Sequence, residues 1–283
     1  MIYRTLGRCW RRLNGRWALR NRDMPRLSRI TIYPIKSLDG YSVEATELME
    51  AGPIVGDRRW AIVDPMRQFV NGKRTAAVHP IRAAFQEGGA IVTLSREGLE
   101  ESRFALPEDA GRAGEWLSEA IGRKCLLIEN LAIGFPDDAD AAGPTLVSTS
   151  SLERVGGWFD LDLDEVRRRF RANLEIDAEE PFWEDRLVAT ETGAIPFAIG
   201  SVRFRGRTPC QRCVVPSRDS GSGDVISGFA KTFSAHRQAE LPSWAPAEAF
   251  NHFYRLTLNT SLDPTAEGPR EIRLGDELTL TAS

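Results

Sequence analysis

Short strand-like segments, each ended by Gly, Pro or Asp, are the feature that most constrains the fold of this chain. Within them apolar and polar residues alternate, or β-branched and aromatic residues cluster, as expected for half-buried strands. A series of such short strands predicts a small antiparallel barrel or sheet. The segments cover residues 26–35, 41–48, 58–64 and 90–96.

A single clear helix follows these strands. Apolar residues recur near helical spacing across residues 110–122. Residues 133–144 are rich in Pro, Gly and Asp and are typical of a connection between two units. A length of 283 residues suits two small domains. We therefore predict a β-barrel-like domain over residues 25–132 and a second one over residues 145–283.

The second half opens with a strand that runs into a helix. Ser150 and Glu153 have the spacing of a capping box, which predicts that Ser150 starts this helix. The free amides of a helix N-terminus, with hydroxyl groups beside them, are suited to bind an anion.

An Arg-rich run ends in a strand-like segment. Phe170 and Leu174 alternate with Arg171 and Asn173, so a strand here would place Arg171 and Asn173 side by side on one face. A Gly-Asp turn near the C-terminus precedes the alternating residues of a last strand, 278–280. The chain is thus predicted to be mostly β with helices, in the α+β class.

Overall charge and composition exclude several classes of protein. A net charge of −3 offers no global attraction for nucleic acid, so any anion site must be local. No apolar run is long enough for a membrane span, and four cysteines are too few for a secreted disulfide scaffold. A cytoplasmic location is expected.

Residues 1–24 form a basic extension without the apolar core of a secretory signal. We interpret this extension as dispensable, although an organelle-targeting or membrane-surface arm has a similar composition.

The pair Cys210 and Cys213 allows several interpretations. Structural zinc needs four ligands, but Cys9 and Cys125 are isolated and the three histidines show no paired spacing. A redox dithiol is expected at a helix N-terminus, whereas a Pro- and Gly-rich turn follows Cys213. Two inert buried thiols, or one thiolate bound to a soft metal, remain open.

Four ordered motifs give the chain a family resemblance. The segments "YPIKSLDG", "VGDRRW", "RFRAN" and "PCQRC" occur in this order, supported by "EDR" and a terminal "GDEL". Together they resemble the MOSC family, in which an N-terminal β-barrel domain precedes a molybdenum cofactor sulfurase C-terminal domain. The family includes the mitochondrial amidoxime-reducing component and its bacterial relatives.

The resemblance implies a molybdenum pyranopterin (molybdenum-molybdopterin) cofactor. By similarity, Cys213 is the metal ligand and catalytic thiolate, while the role of Cys210 is open. Arg and Lys are suited to the cofactor's phosphate and pterin. The family's cofactor-contacting positions map onto residues from both halves of the chain, and the helix near Ser150 adds the hydroxyl of Ser148. The predicted site residues are Lys36, Ser37, Arg58, Ser148, Arg171, Asn173 and Cys213.

The activity implied by the resemblance is reduction of small N-oxygenated substrates such as N-hydroxylated amidines. Electrons would come from a separate ferredoxin, flavodoxin or cytochrome b5 type protein, because the chain has no flavin, haem or iron-sulfur motif. The alternatives are a cofactor or sulfur carrier without turnover, and a zinc-stabilised binding domain.

Two departures from the family pattern concern the site. Ala172 stands where the family commonly has Pro, and residues 219–223 read "DSGSG" where an Asp-Pro-Asp-Thr-Gly turn is common. The second change removes an acidic side chain and bears on substrate preference. Asp219 itself is expected to cap the turn.

Overall fold

The computed structural model describes residues 11–13, 16–18, 24–138, 141–190, 193–265 and 267–281. Most of the basic extension, and with it Cys9, lies outside these ranges. The helices are α1 (Ala110–Ile121), α2 (Thr149–Phe159), α3 (Leu163–Phe170) and α4 (Phe229–Ala239). The strands are β1 (Arg11–Leu13), β2 (Arg16–Ala18), β3 (Leu27–Ile32), β4 (Tyr41–Val43), β5 (Ala45–Glu47), β6 (Trp60–Val63), β7 (Arg82–Gln86), β8 (Ile91–Ser95), β9 (Ser102–Ala105), β10 (Leu126–Glu129), β11 (Leu146–Ser148), β12 (Leu174–Ile176), β13 (Ile195–Ile199), β14 (Val202–Gln211), β15 (Arg255–Leu262), β16 (Glu271–Arg273) and β17 (Leu278–Leu280).

An eight-stranded sheet forms the main scaffold, in the order β17-β13-β14-β15-β11-β12-β3-β4. Its neighbours are antiparallel except for β11 and β12, which pair in parallel. Strands β3 and β4, at the start of the first half, thus belong to the sheet of the second half. A core of Leu, Ile and Phe packs on this sheet, including Ile30, Leu174, Phe204 and Leu258.

The rest of the first half has its own core. Strands β7, β8 and β9 form an antiparallel sheet, and β6 pairs with β10. Helix α1 buries Ala113, Leu117 and Ala120 against them. The predicted helix over residues 110–122 is confirmed, as are the predicted strands around 60–63 and 91–95.

Helices α2, α3 and α4 share a third core in the second half. The predicted α+β class is confirmed. Among the helices of the described ranges, the longest has twelve residues, and none has the length and apolarity to span a bilayer.

Two local predictions in the second half are wrong. Helix α2 begins at Thr149 with Ser148 as its N-cap, because the Ser148 Oγ accepts the Ser151 amide at 3.3 Å; Ser150 already lies in the first turn. The segment before Arg171 is helical rather than extended, since Asp162 caps α3 through the Glu165 amide at 2.7 Å.

Candidate functional site: a cationic cavity between the two halves

A cavity of about 620 Å³ lies where the two halves meet. Of the described residues that line it, nine are Lys or Arg and four are Asp, so a chain with a negative net charge has a locally positive site. The cationic residues are Lys36, Arg58, Lys73, Arg82, Arg168, Arg169, Arg171, Arg212 and Arg255. Six of the predicted site residues line this cavity: Lys36, Ser37, Arg58, Arg171, Asn173 and Cys213.

Ser148 is the predicted site residue that does not line the cavity. Ser148 has no exposed surface. Its hydroxyl caps helix α2 and donates to the Glu184 Oε2 at 2.9 Å. Ser151 also donates to this carboxyl, at 3.1 Å. Burial, and the neighbouring carboxyl of Asp185, raise the pKa of Glu184 to about 7. The "EDR" segment therefore builds a buried polar cluster away from the cavity.

Lys36 and Arg58 lie close together because two loops of the first half are tied backbone to backbone. The Arg58 amide donates to the Tyr33 carbonyl at 2.7 Å, and the Lys36 amide donates to the Trp60 carbonyl at 2.8 Å. Arg58 forms an ion pair with Asp57. Burial opposes its charge, but the carboxylates of Asp57 and Asp137 raise the pKa of Arg58.

Within the described part of the chain, Arg171 has no ion-pair partner. It ends α3 in the left-handed conformation, with φ of 55°, and its amide donates to the Arg167 carbonyl at 2.8 Å. Its guanidinium stacks on the ring of Tyr33, 4.2 Å from the centroid, and the buried Nη2 has no hydrogen-bond partner among the described residues. Burial lowers the pKa of Arg171, and the charge of Arg58 acts in the same direction.

Asn173 has a positioning role in the cavity wall. Its Oδ1 accepts the Thr145 amide at 3.3 Å and the Arg58 Nη1 at 3.4 Å, while its Nδ2 donates to the Thr31 carbonyl at 3.1 Å. The side chain is buried. Asn173 therefore connects three segments and orients Arg58.

Cys210 and Cys213 both line the cavity, but their surroundings differ. Cys210 lies near the end of β14, and the Arg212 Nη1 donates to its sulfur at 3.3 Å. Cys213 follows in the turn after that strand, and its sulfur accepts the Val215 amide at 3.5 Å. Both are free thiols, whereas the free thiol of Cys125 is buried in the core of the first half. No group of three or more His, Cys, Asp or Glu able to hold a metal ion occurs within the described residues.

The turn after Cys213 closes the cavity against the first half. As expected, Asp219 caps it: Oδ1 accepts the amides of Gly221 at 3.0 Å and Ser222 at 2.8 Å. The Arg82 Nη2 donates to the Ser220 carbonyl at 2.9 Å, which links this turn to the first half.

Sequence reasoning missed several residues of the cavity and its wall. Tyr33 stands within the "YPIKS" motif but carries no charge, and it supports two guanidinium groups. His79 lines the cavity and approaches the Gly72 carbonyl with Nε2 at 3.1 Å; burial lowers its pKa. Asp137, in the connection between the halves, forms an ion pair with Lys36. Only the acidic composition of that connection could have indicated Asp137.

Comparison with known proteins identifies the class of the chain. Residues 24–124 match the family model of the MOSC N-terminal beta barrel domain, and residues 140–279 match that of the MOSC domain. The chain therefore belongs to the MOSC family, and the resemblance of its motifs is confirmed.

Curated relatives of the chain are called molybdenum cofactor sulfurases. The protein of Drosophila willistoni is 27% identical over 249 residues, which cover 77% of this chain and 30% of that protein. The protein of Arabidopsis thaliana is 23% identical over 248 residues, which cover 70% and 29%. The chain thus spans less than a third of the length of these relatives.

Solved structures align over most of the chain. The crystal structure of the YuaD protein from Bacillus subtilis covers 95% of this chain and 97% of its own, with 11% identity and a TM-score of 0.37. A similarity of this size supports no argument about the site.

Proposed function

We propose that this chain binds a molybdenum pyranopterin in the cavity and reduces small N-oxygenated compounds, with electrons supplied by a separate redox protein. The observation that carries the proposal is the buried Nη2 of Arg171, which has no hydrogen-bond partner among the described residues and lies in one cavity with the Cys213 thiol. Membership of the MOSC family, and the name of the curated relatives, support the choice of cofactor. We also propose a cytoplasmic location, because four scattered cysteines are typical of a protein from a reducing compartment.

The residues present fit such a group. A buried donor without a partner is costly unless a ligand satisfies it, and the planar fork of Arg171 suits a phosphate or a pterin carbonyl. Lys36, Arg58 and Ser37 provide further donors on the same wall. Cys213 provides one thiolate, which is the soft ligand that molybdenum takes from the protein.

The proposed reaction consumes two electrons and two protons. An N-hydroxylated amidine takes up two electrons and two protons and gives the amidine and water. The N–O bond breaks, and the oxygen leaves as water. The bound cofactor supplies the two-electron and oxygen-transfer chemistry. The chain supplies binding and electrostatics: the cations hold the anionic group, the two halves enclose it, and Arg82 joins the halves at the turn of Ser220.

A second candidate is a cofactor or sulfur carrier without turnover. The name of the relatives favours it, as does a second thiol in the cavity wall, Cys210, beside the guanidinium of Arg212. As a carrier, this thiol would take the outer sulfur of a donor persulfide and hold it as its own persulfide, while the donor leaves as a thiol.

Metal and pterin content of the purified protein tests the cofactor. We expect molybdenum and pterin in the wild type from a cofactor-competent host, and loss of most of the molybdenum in Cys213→Ala. Cys125→Ala is the matched control, since it removes a thiol far from the cavity and should keep the metal. Equal molybdenum in wild type and Cys213→Ala, or none in either, would contradict the proposal.

Turnover separates the two candidates. With a chemically reduced dye as electron donor, a reductase converts an N-hydroxylated benzamidine to the benzamidine at a rate that depends on Cys213. A carrier holds the same cofactor but shows no conversion above the rate without protein.

A further inference from the structure

The connection between the two halves reaches into the cavity. The Phe135 amide donates to the Arg58 carbonyl at 2.8 Å, and the Phe135 carbonyl accepts the Lys36 Nζ at 2.9 Å. Gly134 has φ of 65°, and a Cβ there would lie 2.8 Å from the Asp57 carbonyl oxygen. The close approach at Gly134 therefore fixes where the connection enters the site.

Two residues beyond this anchor, Asp137 sits on the cations that line the cavity. Its Oδ1 forms an ion pair with the Lys36 Nζ, and its Oδ2 lies 3.6 Å from the Arg58 Nε. The side chain of Asp137 is 72% exposed, whereas those of Lys36 and Arg58 are each 12% exposed. The two cationic side chains are thus largely buried, while the carboxylate of Asp137 contacts them from the solvent side.

Asp137 is ionised at neutral pH. Partial enclosure in the cavity mouth acts against its charge, but Arg58 and Lys36 lower the pKa of Asp137 to about 2. A carboxylate that contacts two cations occupies the place that an anionic ligand needs.

The charges of this cluster indicate which anion replaces it. Lys36, Arg58 and Arg171 carry three positive charges, and Asp57 remains bound to Arg58 at a side-chain exposure of 10%. With Asp137 in place the cluster has a net charge of +1, and without it +2. A phosphate monoester near neutral pH carries between −1.5 and −2 charges, approximately the charge that the vacated cluster needs.

We propose that Asp137 is a displaceable counter-ion that selects dianions. Its carboxylate neutralises Lys36 and Arg58 in the ligand-free protein, a phosphate monoester dianion displaces it, and a monoanion gains too little to do so. This proposal rests on the proposed function, and only on the binding of the cofactor. In the cofactor-loaded protein, the dianion that displaces Asp137 is the terminal phosphate of the cofactor. The proposal does not depend on turnover.

Anion binding to the full chain, purified from a host that cannot make the cofactor, tests this. Calorimetric titrations at about pH 8 use inorganic phosphate, then chiefly a dianion, and acetate as the monoanion. Asp137→Asn keeps the shape of the side chain and removes its charge. We expect it to bind phosphate about tenfold more tightly than the wild type and to gain measurable acetate binding.

Matched variants separate the inference from the proposed site. Asp224→Asn removes an exposed carboxylate outside the lining of the cavity and should leave phosphate affinity unchanged. Lys36→Met should weaken phosphate binding in both the wild type and Asp137→Asn. Unchanged or weaker phosphate binding in Asp137→Asn, with Lys36→Met still weakening it, would refute the counter-ion and leave the anion site intact. Phosphate affinity that responds to neither residue would refute the anion site itself.

A structural readout complements the affinities. If the carboxylate leaves the cluster, the amides of Asp137 and Asp138 should exchange hydrogen faster when phosphate is bound to the wild type. Slower exchange would mean that phosphate binds beside Asp137 rather than in its place, and the inference would fail.

Discussion

Replacing Arg171 by Gln should reduce ligand binding without a matching loss of stability. In the cofactor-free protein the Arg171 guanidinium has a buried, unpaired Nη2. Removing a buried donor that lacks a partner recovers about 1–3 kcal/mol of desolvation cost. Removing the stacking on Tyr33 costs about 0.5–2 kcal/mol. Because both residues carry a Cβ, the strain of the left-handed backbone is unchanged. The free energy of unfolding should therefore lie between about 1 kcal/mol below and about 2.5 kcal/mol above the wild-type value.

Ligand binding, in contrast, should weaken. A hydrogen bond to a charged group contributes about 1.5–3 kcal/mol, so the affinity for a phosphate-bearing ligand should fall by about 10- to 100-fold. Calorimetric titration with inorganic phosphate measures this on the cofactor-free chain, and molybdenum content measures it on the loaded protein. Urea denaturation of the same samples gives the stability.

Arg237→Gln provides the contrast. Arg237 is also a buried Arg stacked on an aromatic ring, 4.0 Å from the Phe182 centroid, but it forms an ion pair with buried Asp185. Removing it leaves an uncompensated buried carboxylate, and we expect a loss of about 3–5 kcal/mol. An Arg171→Gln variant as destabilised as Arg237→Gln, with phosphate affinity at the wild-type value, would contradict both expectations for Arg171.

Two further predictions concern stability and the contact between the halves. Because the pKa of Glu184 is raised to about 7, the native state keeps a proton that the unfolded chain releases. The free energy of unfolding should thus decrease by up to about 3 kcal/mol between about pH 4.5 and 7. Glu184→Gln should remove that decrease in urea titrations at several pH values; an identical pH dependence in both proteins would contradict the assignment. Gly223→Ala should destabilise the protein by more than about 1 kcal/mol, because φ is 81° there and a Cβ would lie 2.7 Å from the Ala76 carbonyl oxygen. Gly221→Ala, without a positive φ, is the control, and equal melting temperatures for the two variants would exclude the clash.

The sequence predicted local structure correctly where apolar residues recur with a single period, that of a strand or that of a helix. The strand over residues 60–63 and helix α1 follow from alternation and helical spacing within single segments. The prediction for residues 170–174 failed because a short alternation cannot be separated from the end of a helix. The cap formed by Asp162 decided the conformation there.

Most of the residues that the ordered motifs indicated line one cavity, while their roles as a site stay a prediction. Lys36, Arg58, Arg171 and Cys213 come from both halves and line one cavity. Ser148 does not, since its hydroxyl is used by the cap of α2 and by Glu184.

What the sequence determined by itself is the supply of chemical groups: short strands, an Arg-rich segment, two neighbouring thiols and an acidic connection. Tertiary structure decided which of these groups are already paired. Arg167 and Arg169 stand near Arg171 in sequence, and they bind Glu175 at 2.8 Å and Glu165 at 2.6 Å. No described carboxylate forms an ion pair with Arg171, whose buried Nη2 has no partner among the described residues. Asp137 reaches Lys36 across 101 positions of the chain. Whether a charge is already paired depends on its neighbours in space, and those neighbours are brought by the packing of distant segments.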